Sequence, residues 1–238
     1  MSRVCVAERC MGLLPALLVG VLLLALSGAS GPARGQGLSA LERQMEAVVR
    51  DSWGDAPGVE ARRLVQDDTQ LECSRVRNEP GDALRERIQK RELARISYPE
   101  GGLVLGDPVA GERYAKDGYG GRVGRLRPDD PARPRGGNCQ ACHVLEPRDG
   151  IGGTLGPSLA GFGIGLGTRP VAVRYVYDRI YNSHAVNPCS EMPRFGYHGF
   201  LTRQQILDIA AYLLMPDSPV NRIEPPGSEP AGTVRPLP

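Results

Sequence analysis

The sequence is poor in residues that several classes of protein depend on. Its formal net charge is only +2 over 238 residues, which excludes the strongly basic surface expected of a nucleic-acid-binding protein. Aromatic residues make up 5%, and there are 3 histidines, against 31 glycines and 21 prolines. A chain with so little aromatic packing area is expected to have long loops and to depend on a cofactor or cross-links for stability.

Beyond the first 30 or so residues the sequence lacks any apolar run that is long enough to cross a membrane. Arg3 and Arg9 precede the run "MGLLPALLVGVLLLALSGAS", which ends in small residues. This layout predicts a secretory signal peptide over residues 1–29, cleaved after Ala29. An uncleaved membrane anchor is the alternative, because the run is long. Cleavage would release a periplasmic protein with no membrane association.

Few cysteines of the expected mature chain remain to act as free thiols. Of the 6 cysteines, Cys5 and Cys10 fall in the signal peptide, and Cys73 and Cys189 lie outside any Cys-x-x-Cys pair. An oxidising compartment favours a disulfide between Cys73 and Cys189. The alternative is a redox-active or sulfur-carrying thiol pair, which is disfavoured because neither cysteine lies in a Cys-x-x-Cys arrangement.

The stretch "RGGNCQACHVLEP", residues 135–147, contains Cys139, Cys142 and His143 in the spacing Cys-x-x-Cys-His. This spacing is the attachment signature of c-type haem: two thiols bond the two vinyl groups, and the imidazole lies beneath the iron. A zinc site would need a fourth ligand at typical spacing, and a thioredoxin pair would follow a strand. The motif therefore predicts one covalently attached haem c.

The second axial ligand of the iron has several candidates. Met192 lies in the loop "NPCSEMPRFG", whereas Met45 and Met215 lie on the apolar stripes of helices and are predicted to be packing residues. Because a residue before proline favours extended backbone, the Met192 thioether is free to point across a groove. His184 and His198 compete with it, and either would give a lower potential. Met192 is the preferred ligand, with a raised potential suited to accepting electrons.

Two further side-chain roles are predicted around the haem. An axial histidine usually donates its other ring N–H to a carbonyl, and the Pro157 carbonyl in "TLGPSLAGFG" is the candidate acceptor; the alternative is an ordinary turn. Arg194 has two interpretations, as the partner of a haem propionate or as a solvated loop arginine.

Helical periodicity dominates the chain, so the fold class is predicted to be mainly α. Thr202 and Gln205 form a capping box ahead of the apolar face of "LTRQQILDIAAYLLM". Further helices are predicted in "LSALERQMEAVVRDSW", "DALRERIQKRELARIS", "VAVRYVYDRIYNS" and from about Pro108 to Lys116. The order of elements resembles that of a single-haem cytochrome c domain, which is expected over residues 108–216. An N-terminal helical extension with long loops precedes it over 30–107, and a disordered tail follows over 217–238.

Several segments together resemble one family. They are "ECSRVRNEPGD", "YPEGGLVLGDPVAGERYA", "GGNCQACHVL", "GTLGPSL", "IYNSHAVNPCSEMPRFGYHGFLT" and "LMPDSPVN", and they span most of residues 70–221. They are similar to SoxX, the monohaem cytochrome subunit of the SoxXA complex of thiosulfate oxidation. The more specific pieces are "CSxMPRFG" and "YPEGG…GD".

The resemblance implies more than the spacing does. A SoxA-type cytochrome would be the partner, and together the subunits would join thiosulfate oxidatively to a cysteine of the carrier SoxYZ. The sulfur chemistry would belong to the partner, and this chain would pass the two released electrons to a soluble cytochrome c. By the same resemblance His143 and Met192 are the iron ligands, Cys139 and Cys142 the haem anchors, and Cys73–Cys189 a bridge found in some members.

Two other functions stay open at this point. The chain is also compatible with a free-standing periplasmic electron carrier that belongs to no sulfur-oxidising complex, although a simple carrier would not need the extension over 38–100. A haem-based sensor is the third possibility, and Met192 disfavours it because a six-coordinate iron has no vacant position.

Overall fold

The computed structural model describes residues 39–53, 64–121, 129–148 and 152–223. The regular secondary structure of these residues is helical. No strand occurs among these residues, and one isolated antiparallel bridge joins Val144 and Gly152. The prediction of a mainly α protein is confirmed. The α-helices are α1 (Ala40–Trp53), α2 (Asp68–Arg75), α3 (Asp82–Leu93), α4 (Pro108–Lys116), α5 (Phe162–Leu166), α6 (Pro170–Tyr181), α7 (Ser183–Val186) and α8 (Arg203–Leu214), with 3-10 turns at Cys139–Ala141 and Pro219–Asn221.

The helix α8 forms where its sequence predicts it. The Thr202 side chain accepts from the backbone N–H of Gln205, and the Gln205 side chain accepts from the N–H of Thr202, so the predicted capping box is present. The helix ends before Pro216, and its C-cap is Met215. Every residue from Gln205 to Leu214 is buried. The helix therefore runs through the centre of the core instead of covering one side of it.

The helices α4 and α8 cross in close contact. Gly111 is buried at the crossing, and a Cβ on this residue would overlap the backbone carbonyl of Asp208. The crossing is tied further by the backbone N–H of Asp107, which donates to Asp208 Oδ1 at 3.0 Å. The absence of a side chain at Gly111 therefore sets how closely the two helices approach.

The main hydrophobic core lies between α6 and α8. Its largest fully buried side chains include Tyr177, Tyr212, Ile206 and Leu214. The Tyr177 hydroxyl donates to the carbonyl of Ser97 at 2.7 Å, so the segment after α3 is fastened to α6. A chain with few aromatic residues thus places two tyrosines in its core, where each hydroxyl has a polar partner.

A second, small core lies between the extension and the segment after α6. It is formed by Cys73 on α2, Ile88 on α3 and Cys189, with Leu84 packed against it. The predicted disulfide is present, joining Cys73 to Cys189 across 116 residues. The helices α3 and α7 are also in contact. The extension therefore packs beside the segment that carries Met192.

The beginning of the predicted disordered tail belongs to the fold, which corrects the boundary at residue 216. Ser218, Val220 and Asn221 are buried. The Asn221 side chain donates to the carbonyl of Leu213 at 3.1 Å and accepts from the N–H of Gly163 at 2.8 Å. These bonds satisfy backbone groups at two helix ends. The rest of the tail, from residue 224, lies outside the described residues.

The chain divides into two compact units at Val48 and Val49, within α1. Leu41, Met45 and Val48 are exposed, so the structure does not show the packing role predicted for Met45. The predicted signal peptide over 1–29 and residues 122–128 of the Arg-rich loop at 121–135 lie outside the described residues. Within the described part of the chain, no helix is both long and apolar enough to cross a bilayer.

Candidate cofactor site

All five residues predicted to bind the cofactor line one cavity of about 360 Å³. They are Cys139, Cys142, His143, Pro157 and Met192. Most of the remaining lining is apolar and includes Leu159, Phe162, Val176, Ile180, Phe195 and Leu213. An apolar cavity with a few convergent polar or coordinating groups is the usual form of a cofactor site. Residues that lie more than 50 positions apart in the sequence are thus brought together here.

The Cys-x-x-Cys-His segment is shaped by a short turn against α4. Asn138 has φ 48°, in the left-handed region that asparagine tolerates, and the turn Cys139–Ala141 follows it. The N–H of Gly137 donates to the carbonyl of Tyr114 at 2.7 Å, and the N–H of His143 donates to the carbonyl of Cys139 at 2.9 Å. The turn therefore presents both cysteines and the imidazole to the same cavity.

The imidazole of His143 is held in one orientation. Its Nδ1 lies 2.6 Å from the carbonyl oxygen of Pro157. Because a carbonyl only accepts, Nδ1 carries a proton, so in the neutral imidazole the free lone pair is on Nε2. Gly156 lies directly against the ring, where a Cβ would overlap it. The predicted contact with Pro157 is thus present, and it leaves Nε2 able to coordinate a metal.

The thiol of Cys139 is in an environment that disfavours ionisation. Burial raises the pKa of Cys139 to about 12, with the nearby Cys142 adding to this effect. Reactive and metal-binding cysteines have lowered pKa values, because the thiolate is the nucleophile and the ligand. The uncharged thiol is therefore favoured at this position, and a thioether here would likewise carry no charge.

The other two histidines line a different cavity. His184 and His198 lie with Arg194 around a second cavity of about 470 Å³, which Met192 also lines and whose lining is mixed polar and apolar. The His184 Nε2–H donates to the carbonyl of Ser190 at 2.9 Å. Met192 thus lies in a loop between the two cavities, and it shares the apolar cavity with His143. This placement favours Met192 over the two histidines as the second ligand.

Neither interpretation of Arg194 drawn from the sequence matches the structure. The residue is 3% exposed, so it is not a solvated loop arginine, and its guanidinium is bonded to carboxylates rather than left for a propionate. Nη2 lies 2.5 Å from Asp67 Oδ2, and Nη1 lies 3.5 Å from Glu92 Oε2. No local signal predicts these pairs, because the partners are 127 and 102 residues away.

Glu92 is the centre of a buried polar network that sequence reasoning missed. It is fully buried, and it accepts from Thr69 Oγ1 at 2.5 Å and from Asn182 Nδ2 at 2.7 Å. Arg95 pairs with it at 2.7 Å. Burial by itself would raise the pKa of Glu92, but these bonds and the charges of Arg95 and Arg194 hold it below its ordinary value. The carboxylate is therefore charged at neutral pH.

Replacing Glu92 by glutamine is expected to destabilise the protein by about 2–4 kcal/mol at pH 7, because arginines packed around a buried site lose their counter-charge. A lowered carboxyl pKa stabilises the folded state above the unfolded value of 4.5, and this contribution disappears as the pH falls through the folded pKa. Glu92→Gln should therefore flatten the acid side of a stability profile measured by urea unfolding.

The matched control is Glu72→Gln. Glu72 pairs with Arg91 and Arg87, and its side chain is 25% exposed. Ion pairs that remain in contact with solvent contribute about 1 kcal/mol or less. If Glu72→Gln and Glu92→Gln lowered the free energy of unfolding equally at pH 7, the burial of Glu92 would not add to its contribution to stability.

Comparison with known proteins finds one partial similarity. No protein-family model matches the chain. It is similar to a protein of Aquifex aeolicus (strain VF5) that is described as an uncharacterized lipoprotein, with 42% identity over 139 residues. The aligned region covers 56% of this chain and 61% of the relative, so the chain spans less than two thirds of the relative's length.

Proposed function

We propose that this protein is an exported c-type cytochrome with one covalently attached haem and a single-haem cytochrome c domain. The observation that carries the proposal is the convergence of Cys139, Cys142, His143 and Met192 on one apolar cavity. The name of the Aquifex relative, a lipoprotein, supports export. So does the signal-like sequence of the first 29 residues.

The roles of the residues follow from their positions. Cys139 and Cys142 would hold the haem by thioethers, His143 would bind the iron through Nε2, and Met192 would supply the second ligand. The haem supplies a one-electron acceptor, whose potential a methionine ligand raises. The Pro157 carbonyl fixes the His143 proton on Nδ1, and the apolar lining excludes water from around the thioether.

Within this class we assign the chain to the SoxX type. It would be the electron-accepting subunit of a heterodimeric L-cysteine S-thiosulfotransferase, bound to a SoxA-type subunit that carries out the sulfur chemistry. Electrons released as thiosulfate is joined to a cysteine of SoxYZ would pass through this chain to a soluble cytochrome c in the periplasm. The support is the resemblance of residues 70–221, together with an extension that a simple carrier would not need.

Two measurements on protein purified from its own host test the proposal in order. Intact mass should exceed that of the processed polypeptide by one haem; bare polypeptide would overturn the whole proposal. Thiosulfate with the carrier should then reduce the haem only when a second cytochrome is present. If the protein purifies without such a partner and thiosulfate does not reduce the haem, the alternative of a free-standing periplasmic monohaem carrier would be favoured.

Replacing Met192 by leucine is expected to abolish the thioether-to-iron charge-transfer band of the oxidised protein and to lower its reduction potential, because the iron loses its sulfur ligand. The matched control is Met215→Leu, which replaces the C-cap of α8 outside the cavity and should leave the band unchanged. An oxidised wild-type protein without this band would show that Met192 is not the ligand.

A further inference from the structure

Met192 lies in a loop between two cavities. It lines the apolar cavity and also the second cavity of about 470 Å³, and it is only partly buried where it packs against the main core. Protein interiors usually hold a side chain in place by dense packing on all sides. Because Met192 borders a cavity at two places, the position of the thioether depends also on what holds the loop at its ends.

One end of the loop is held by the disulfide and by local hydrogen bonds. Cys189, three residues before Met192, is bonded to Cys73. It has φ 62°, a left-handed conformation that is uncommon for a residue other than glycine. The Ser183 hydroxyl donates to the Met192 carbonyl at 2.5 Å. These contacts fix the backbone at Met192 and at Cys189 before it.

The other end is held by one buried ion pair network. Arg194, two residues after Met192, inserts its guanidinium between Asp67 and Glu92. Asp67 is the N-cap of α2, and Glu92 lies on α3, so both partners belong to the extension. The side chain of Arg194 is 2% exposed and that of Glu92 is fully buried. A buried, paired guanidinium resists displacement, because moving it would separate it from both carboxylates and take one positive charge away from Asp67 and Glu92.

We infer that Arg194 is a positioning residue, which fastens the Met192 loop to the helices α2 and α3 and keeps the thioether in the apolar cavity. Arg194 does not line that cavity, and it acts only through the loop. The extension then has a structural role, because it supplies Cys73, Asp67 and Glu92, which hold the loop. What Met192 binds in the cavity rests on the proposed function; that Arg194 holds the loop does not.

Replacing Arg194 by glutamine tests the inference. An external ligand such as imidazole binds the oxidised protein only while Met192 is displaced, so its apparent affinity follows the population of the open loop. Arg194→Gln is expected to raise imidazole affinity by about tenfold or more, measured by spectral titration. Backbone hydrogen exchange of residues 187–198 should accelerate in parallel.

The matched control is Arg87→Gln. Arg87 lies on α3 and pairs with Glu72 at 3.2 Å, within the extension. Its replacement disturbs the same helices without touching the Met192 loop, so imidazole affinity should change by less than about twofold. Equal increases in the two variants would overturn the inference, because they would report general destabilisation. Unchanged affinity and unchanged exchange in a folded Arg194→Gln protein would overturn it as well.

Asp67→Asn provides a milder variant should Arg194→Gln not fold. Asparagine keeps the helix cap at the start of α2, and it removes one of the two charges on Arg194. Imidazole affinity and loop exchange should rise in the same direction by a smaller factor, and no rise in either would overturn the inference. Hydrogen exchange needs no haem, so protein without tetrapyrrole would defeat the proposed function while still testing the role of Arg194.

Discussion

Replacing Cys139 and Cys142 together by alanine is expected to produce a chain with no covalently bound tetrapyrrole. The two cysteines line the same cavity as His143, and one thioether to each is what retains haem after denaturation. The measurement is the intact mass of the exported protein after unfolding, with haem absorbance followed through the same denaturing separation. Complete loss of both signals is the expected result.

The control for this experiment is the pair Cys73→Ser and Cys189→Ser. It also removes two cysteines, but those of a disulfide outside the apolar cavity. This variant should keep its haem and lose stability, by about 2–5 kcal/mol. Covalent haem in the Cys139 and Cys142 variant, or loss of haem in the disulfide variant alone, would contradict the assignment of the cysteines.

Replacing Gly111 by valine is expected to reduce the free energy of unfolding by about 3 kcal/mol or more, or to prevent folding. The first side-chain carbon would overlap the carbonyl of Asp208, and backbone atoms on α8 cannot move aside without displacing the core. Gly111→Ala should cause a smaller loss, because alanine adds one carbon where valine adds three. Urea unfolding followed by circular dichroism measures both.

The matched control for the Gly111 variants is Gly165→Ala. Gly165 lies in α5, and a Cβ there would meet nothing within 4 Å. Alanine in such a helical position should leave stability unchanged or raise it by about 0.5–1 kcal/mol. A similar loss at Gly165 and Gly111 would mean that close packing of α4 and α8 does not hold the fold together.

Helices whose signals are local could be predicted from the sequence. The helix α8 has a capping box, an apolar period and a following proline, and the structure begins and ends it within a residue or two of the prediction. The helix α4 was predicted from Pro108 to Lys116, where it is found. Such signals act within about one or two helical turns, so a short window of sequence contains them.

The helix α2 was not predicted, although it has a local signal. Asp67 and Gln70 form a capping box at its start. The helix is only 8 residues long and has no continuous apolar face, since its buried residues are Thr69 and Cys73. Short helices of this kind are stable only through tertiary contacts, which here include the disulfide.

The buried network was beyond prediction for a different reason. The arginine in "MPRFG" has the same local surroundings whether it faces solvent, a propionate or two carboxylates. Its burial depends on Asp67 and Glu92, which are 127 and 102 residues away. Charged residues are rarely buried unless they are paired, so an arginine alone does not indicate its own burial.

The sequence by itself determined the helical class, the helices α4 and α8, and the Cys-x-x-Cys-His segment of the candidate site. Periodicity, caps and that spacing are each contained in a short stretch. The tertiary structure decided which sulfur or imidazole shares a cavity with His143, how far the folded chain continues past residue 216, and what Arg194 binds. These outcomes depend on contacts between residues that are distant in the chain, and only the packed molecule brings such residues together.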